Sequence, residues 1–461
     1  MVLALTVSAL LSAPRAPADA ALVTYVPKLD ALSTLMPFFT AAGSRSTLLR
    51  PEGWRAVAHP VLEFDVTDAA SLEAAGIDPR SSLSASRLGD SSVSCVTVKD
   101  VRTYVDRSEA RLQRLGEVST KKEGGVTVVG ARDALHRVLA GYVLAGSESC
   151  AISGHGRSVE KQLPELAKAL GKAAKGPGFS LAQGLGGAAQ VVVPKGSPLG
   201  ALALSGAGLT LTADARARGL PVAPLAGAGA SPFAALAPAG LATVRARLER
   251  EALAPVLERV LREIPNARAL VPLASQVAPL LTGNVALYAS KVKVTQGLRS
   301  REARYFAVKN VLLAEVTDAA AVRALLDAAK LSTLASREGT VEVGLSGTTL
   351  YLANDTGARD VALGALEKAA GKQAHAGEAI VDPRLLADGL SQVPLLEVLQ
   401  APELAGLVAA ATELGPLLLA SKRVSGWLDT AGPGQHRAQA TWQLDAEKFP
   451  ATGTARPTPS P

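Results

Sequence analysis

Two stretches of this chain spell out one order of elements. Around residues 96–176 the hydrophobic periodicity runs strand, helix, strand, strand, helix, and around 314–371 it does so again. The first copy reads VTVKDVRTYVDRSEARLQRLG, GGVTVVG and GYVLAGSESCAISGHG before the helical RSVEKQLPELAKALGKAAKG. The second reads AEVTDAAAVRALLDAAK, GTVEVGLSG, TLYLANDTG and ARDVALGALEKAAGK. Strands of period 2 and helices of period 3.6 bury complementary faces, so a repeated order favours a repeated packing. The expected fold class is α+β. Two related halves, each a layer of antiparallel strands packed with a layer of helices, would make a bilobed molecule. Neither copy carries a set of reactive side chains.

Punctuation between the copies sets the expected limits. A first module covers 21–220. A linker (PVAPLAGAGASPFAALAPAG) and a helical segment over 241–264 fill 221–275. The second module covers 276–448, and the Pro/Thr-rich tail at 449–461 reads as disordered. The first module opens with a strand running into an amphipathic helix, Leu29, Leu32 and Leu35 standing at helical spacing. VTDAA occurs at 66–70 and 316–320, and Asp68 and Asp318 read as helix N-caps. Gly89-Asp90 marks a hairpin, and 117–125 reads as a long loop. Short, Pro-punctuated helices follow over 385–421, and HRAQATWQLD is a closing strand.

Export is the cellular expectation. Residues 2–11 (VLALTVSALL) form an apolar run, followed by two A-x-A patterns at Ala16-Pro17-Ala18 and Ala18-Asp19-Ala20. Residues 1–20 therefore read as a signal peptide, although no Lys or Arg precedes the run. The protein is placed in the periplasm or outside the cell. No membrane span is expected, because the best later stretch, 404–419, is broken by Glu413, Gly415 and Pro416. The two cysteines, Cys95 and Cys150, both fall on strands of the first module, and in an exported chain they read as a disulfide. The alternative is two separate buried thiols.

Composition narrows the chemistry. Aromatics make up only 3% of the chain, so the cores are built from Ala, Leu and Val. Base stacking on nucleic acid is not expected. The net charge of +7 is spread thinly; its densest run is Lys291, Lys293, Arg299, Arg301 and Arg304. There Lys291 and Lys293 alternate with valines as the wet face of a strand. The histidines, His59, His136, His155, His375 and His436, lack metal-ligand spacing, so no metal is expected. S-x-x-K occurs from Ser158 to Lys161 and from Ser290 to Lys293, without the partner motifs of a serine enzyme. Gly89-Asp90-Ser91 sits in a hairpin. Gly184–Gly187 precedes a strand, whereas a phosphate loop must follow one. Asp65 and Asp68 read as a strand residue and a cap rather than a cation site.

The chain resembles a family of exported bacterial proteins of unknown function with a duplicated α+β module. The likeness rests on Pro17-Ala18-Asp19, on Leu22-Val23-Thr24-Tyr25-Val26-Pro27, and on the two VTDAA segments. It spans most of 17–445 and implies no catalytic residues and no cofactor. The expected function is a non-enzymatic envelope or secreted binding or scaffold protein, its partner an unknown envelope component. The alternative is a carrier of a lipid or other apolar ligand in a groove between the Leu-rich helices and a sheet. N-terminal sequencing of the native protein is expected to find a start between Pro17 and Ala21; recovery of Met1 or Val2 would remove the localisation argument.

Overall fold

Alternating and continuous apolar runs become strands along the whole computed structural model. It describes residues 22–50, 59–88, 90–154, 157–170, 177–182, 184–193, 199–220, 222, 224–236, 240–263, 271–294, 306–336, 339–367, 371–391 and 412–449. The expected signal peptide, His155, and the tail beyond Phe449 lie outside these residues. Contacts divide the chain into two units, Met1–Ser44 with Leu48–Gly219, and Arg45–Thr47 with Leu220–Pro461.

The first unit has ten described strands: β1 (Val23–Val26), β2 (Leu83–Leu88), β3 (Ser91–Thr97), β4 (Glu117–Glu123), β5 (Val126–Arg132), β6 (Val138–Ala145), β7 (Glu148–Ser153), β8 (Ala189–Val192), β9 (Leu199–Ala207) and β10 (Thr210–Arg218). Their order is β4-β5-β6-β7-β3-β2-β1-β8-β9-β10, every neighbouring pair antiparallel. One face packs on a 3₁₀ turn (Leu29–Thr34), α1 (Met36–Gly43), α2 (Ala69–Ala74) and α3 (Val101–Gln113). There Leu29, Leu72, Tyr104 and Leu112 meet Val26, Leu83, Val96 and Tyr142. Leu29, Leu32 and Leu35 stand three apart, which matches the 3.0-residue turn of a 3₁₀ helix better than the α-helix expected.

The opposite face packs on α4 (Arg157–Ala169), with Val159, Leu163 and Leu166 over Val93, Cys95, Val143, Cys150 and Ile152. α5 (Pro177–Ala182) continues that layer over Val23, Val192 and Ala201. Helices thus cover both faces, which corrects the two-layer expectation. The cause is visible in β6, whose VLAGYVLA is almost continuously apolar and buried on both sides. Gly141 makes room for α4: a Cβ there would stand 2.9 Å from Leu163 Cδ1. The loop expected at 117–125 is mostly strand β4. Only Val118 on it is even partly buried, so it carries no apolar alternation to read.

Cys95 and Cys150 are directly paired in register on β3 and β7 and joined by a disulfide, with 5% and 4% of each residue exposed. On the other face a polar cluster is sealed inside. The Tyr104 hydroxyl lies 3.2 Å from His59 Nε2 and 2.7 Å from Ser149 Oγ, which donates to the Val143 carbonyl. Burial lowers the His59 imidazole to about 3 and pushes the Tyr104 hydroxyl up.

The second unit has β11 (Gly229–Ser231), β12 (Ala242–Arg247), β13 (Leu281–Val294), β14 (Phe306–Val316), β15 (Thr333–Ser336), β16 (Gly339–Ser346), β17 (Thr349–Ala353), β18 (Gly371–Gln373), β19 (Gly377–Val381), β20 (Ser421–Gly432) and β21 (Gln435–Leu444). β11 pairs with β18, and the rest run β15-β16-β17-β14-β13-β12-β19-β20-β21, again all antiparallel. α6 (Arg250–Glu263), α7 (Val271–Val277) and α8 (Ala319–Ala328) cover one face, burying Leu253, Ala274 and Val322 against Leu248, Val316, Val343 and Leu350. A 3₁₀ turn (Pro232–Ala235) and α9 (Thr356–Leu366) cover the other, with Phe233, Ala358 and Ala362 over Ala286, Tyr288 and Leu313. α10 (Pro383–Ser391) adds Leu385 and Leu386 beside Leu241, Ala289 and Val292.

Three expectations change here. The helix expected over 241–264 begins only at Arg250, because ATVRAR alternates and forms β12. The stretch expected as linker contains β11 and a 3₁₀ turn. The residues between the Pro-punctuated helices and the closing strand form a twelve-residue strand, β20.

With β4 set aside, the two sheets share one connectivity, and particular backbone bonds recur at corresponding places. Val98 N–H donates to Ser147 O at 2.7 Å, and Val316 N–H to Thr348 O at 2.9 Å. Lys99 N–H reaches Gly76 O at 2.8 Å, and Thr317 N–H reaches Leu280 O at 2.7 Å. Asp100 caps α3 as Asp318 caps α8. Tyr104 and Val322, four residues beyond these caps, are each fully buried.

Two outcomes are expected. Below pH 6.5 the unfolded chain takes up a proton on His59 that the folded chain refuses, so stability falls as pH drops from about 6.5 toward about 3. Urea denaturation should lose about 2 kcal/mol between pH 7.5 and 5 from this group, and His59→Asn should remove that share. Reduction of the disulfide, which closes a loop of sequence separation 55, should cost about 4 kcal/mol in the same measurement.

Candidate functional site

The second unit concentrates its polar side chains where the helical cover of β13 and β14 gives way to β12, β19, β20 and β21. Register places Arg245 opposite Glu378, Glu378 opposite Trp427, and Trp427 opposite Gln439. Directly opposed residues share a sheet face, so these four stand in one row. Arg245 and Glu378 form an ion pair at 2.8 Å, their side chains 11% and 16% exposed. Arg245 also donates to Ala234 O at 2.6 Å, and Trp427 Nε1 donates to Gln439 Oε1 at 3.2 Å.

A short turn between β18 and β19 is pinned onto this row by two carboxylates. Glu378 Oε1 accepts from the backbone N–H groups of Ala374 and His375, at 2.9 and 3.1 Å. Asp429 Oδ1 accepts from Ala376 N–H at 2.7 Å. The His375 ring is held twice: Nδ1 lies 2.7 Å from Asp429 Oδ2, and the ring stacks on Trp427 at 4.3 Å between centroids, 5° from parallel. An acceptor at Nδ1 places the proton there, so in neutral His375 the Nε2 lone pair is left as an acceptor. Among the described residues no hydroxyl or thiol is bonded to Nε2.

A polar pocket of about 240 Å³ opens beside the row, lined by Arg245, His375, Glu378 and Trp427, and further along by Arg423, Ser425 and Thr441. Strand alternation puts Val244, Ala246, Ala379 and Leu428 on the opposite face. With Leu225 and Leu248 they line an apolar cavity of about 370 Å³. A second cavity, of about 410 Å³, shares Val222 with it and runs along α6 past Pro255 and Arg259.

The sequence-derived candidates fall elsewhere. Cys95 and Cys150 are joined in the first unit's interior. Asp65 Oδ1 accepts from the Thr67 amide and hydroxyl, while Asp68 accepts from Ala70 and Ser71, so each carboxylate serves its own turn. The Ser290 hydroxyl donates to Lys309 O, and the Ser158 side chain lies outside the described residues. Among the described residues no group of three His, Cys, Asp or Glu is placed to hold a metal ion. No described helix is long and apolar enough to cross a membrane.

Sequence reasoning missed the row because it missed β12, β19 and β20. The signal was present: Val424 and Leu428 alternate with Arg423, Ser425, Trp427 and Asp429 ahead of the Gly432-Pro433-Gly434 turn. Among known proteins, no family model, no curated protein and no solved structure matches this chain.

Glu378→Ala should destabilise the protein by about 2–4 kcal/mol, since it strands Arg245 and releases the turn. Exposed Arg423→Ala should stay within about 0.5 kcal/mol of wild type. Chemical denaturation of both variants checks the contrast.

Proposed function

We propose that this chain is an exported, non-enzymatic binding protein of the cell envelope or extracellular space. It is built as two copies of one α+β module, and the second copy carries the binding site. The matched pairings of the two sheets support the two-copy reading. The disulfide and the N-terminal apolar run support export.

One observation carries the location of the site. The row occupied in the second unit by Arg245, Glu378, Trp427 and Gln439 corresponds in the first to Tyr25, Gln190, Ala203 and Asp214. The sheet forms in either case, so the ion pair, the indole and the carboxylate-held imidazole are additions to the module. Co-sedimentation with purified envelope fractions tests this. Wild type should be retained and Trp427→Ala, verified as folded by near-UV circular dichroism, released. Equal retention of the two would sink the reading.

A second reading, a carrier of an apolar ligand, draws support from the cavity lined by Leu225, Val244, Leu248 and Leu428. Mass spectrometry of an organic extract of the native protein separates the two, because a stoichiometric lipid belongs only to the carrier.

A further inference from the structure

We propose that the polar pocket of the second unit binds a monoanionic carboxylate, with Arg423 as the anion receptor. The inference rests on the binding reading above and names the chemistry of that site.

Of the two guanidinium groups lining the pocket, Arg245 is neutralised by Glu378 at 2.8 Å and engaged by a backbone carbonyl. Arg423 lines the same pocket and makes no ion pair or hydrogen bond among the described residues. Ser425, two residues along β20 on the same face, stands directly opposite Thr441. Neither hydroxyl has a hydrogen-bond partner among the described residues. Same-face neighbours on a strand are about 6.5–7 Å apart, and opposed Cβ atoms about 5 Å. One carboxylate therefore spans the Arg423 fork and the hydroxyl pair. A guanidinium presents parallel N–H donors that match carboxylate geometry, and the hydroxyls supply further donors.

Charge selects a monoanion. The lining carries Arg245 and Arg423 against Glu378, and Asp429 stands one row further along the same face. A second negative charge on the ligand would sit near these carboxylates without a cation of its own. The stacked His375 and Trp427 rings wall the side away from Arg423. A volume of about 240 Å³ suits a ligand of one ring.

Isothermal titration of the full chain with glucuronate and benzoate tests the proposal. Their neutral counterparts glucose and benzamide, and the dianion glucose 1-phosphate, serve as comparisons. At least one carboxylate should bind, weaken with added salt, and lose about tenfold in affinity in Arg423→Ala and Arg423→Gln. Its neutral counterpart should bind at least tenfold more weakly than the acid. Three results would overturn the assignment: no binding of either carboxylate, undiminished binding in both variants, or tighter binding of the phosphate. If Trp427-dependent retention on envelope fractions survives any of these, the binding reading stands and only the ligand class falls. A tethered source is distinguished from a free acid by repeating the co-sedimentation with excess of the bound carboxylate. Release of the protein identifies a competing envelope carboxylate.

Discussion

Antiparallel register is the constraint on which this molecule turns. A side chain in a sheet has little choice of neighbour: its partner on each adjoining strand is set by the ladder, and a slip of one residue would send it to the other face. One row of the first unit runs Cys150, Cys95, Ser84, Tyr25, Gln190, Ala203 and Asp214. The matched row of the second runs Tyr351, Leu313, Ala286, Arg245, Glu378, Trp427 and Gln439. The covalent bond of one unit and the polar site of the other thus occupy corresponding lines of side chains. Both depend on the same ladder being kept in step.

The same ladder order carries different side chains in the two units. Where the first unit places a disulfide under α4, the second packs Tyr351 and Leu313 near α9. Where the second places charge, the first keeps Tyr25 and Gln190, both largely buried. The helical layers accommodate either set because their contacts fall mainly on Ala, Leu and Val, whose small volumes fill space without demanding a particular partner.

Much of the architecture was legible in the residues. Period-2 runs such as NVALYASKVKV and LTLTADARA became β13 and β10, and Asp68 and Asp318 became caps because a short carboxylate satisfies orphan N–H groups at a helix start. The cysteine pairing was legible as well, since both residues stood on strands of one module. Legibility failed where the pattern is carried by partners distant in the chain. Trp427 and Glu378 lie 49 positions apart and Arg245 lies further still, so nothing local announces that they meet. β4 was missed for a different reason: a strand with no buried face leaves no hydrophobic rhythm.

That same strand has a bearing on how such a protein behaves in a crowd. β4 ends its sheet with Glu117, Lys121, Lys122 and Glu123, almost wholly in water. The corresponding border of the second unit, β15, is four residues long. An edge that is charged or very short is a poor template for another chain's backbone. Long sheets made of Ala, Leu and Val would otherwise invite strand-by-strand growth into fibres. At these two borders the sheets offer a neighbouring chain little to grow from.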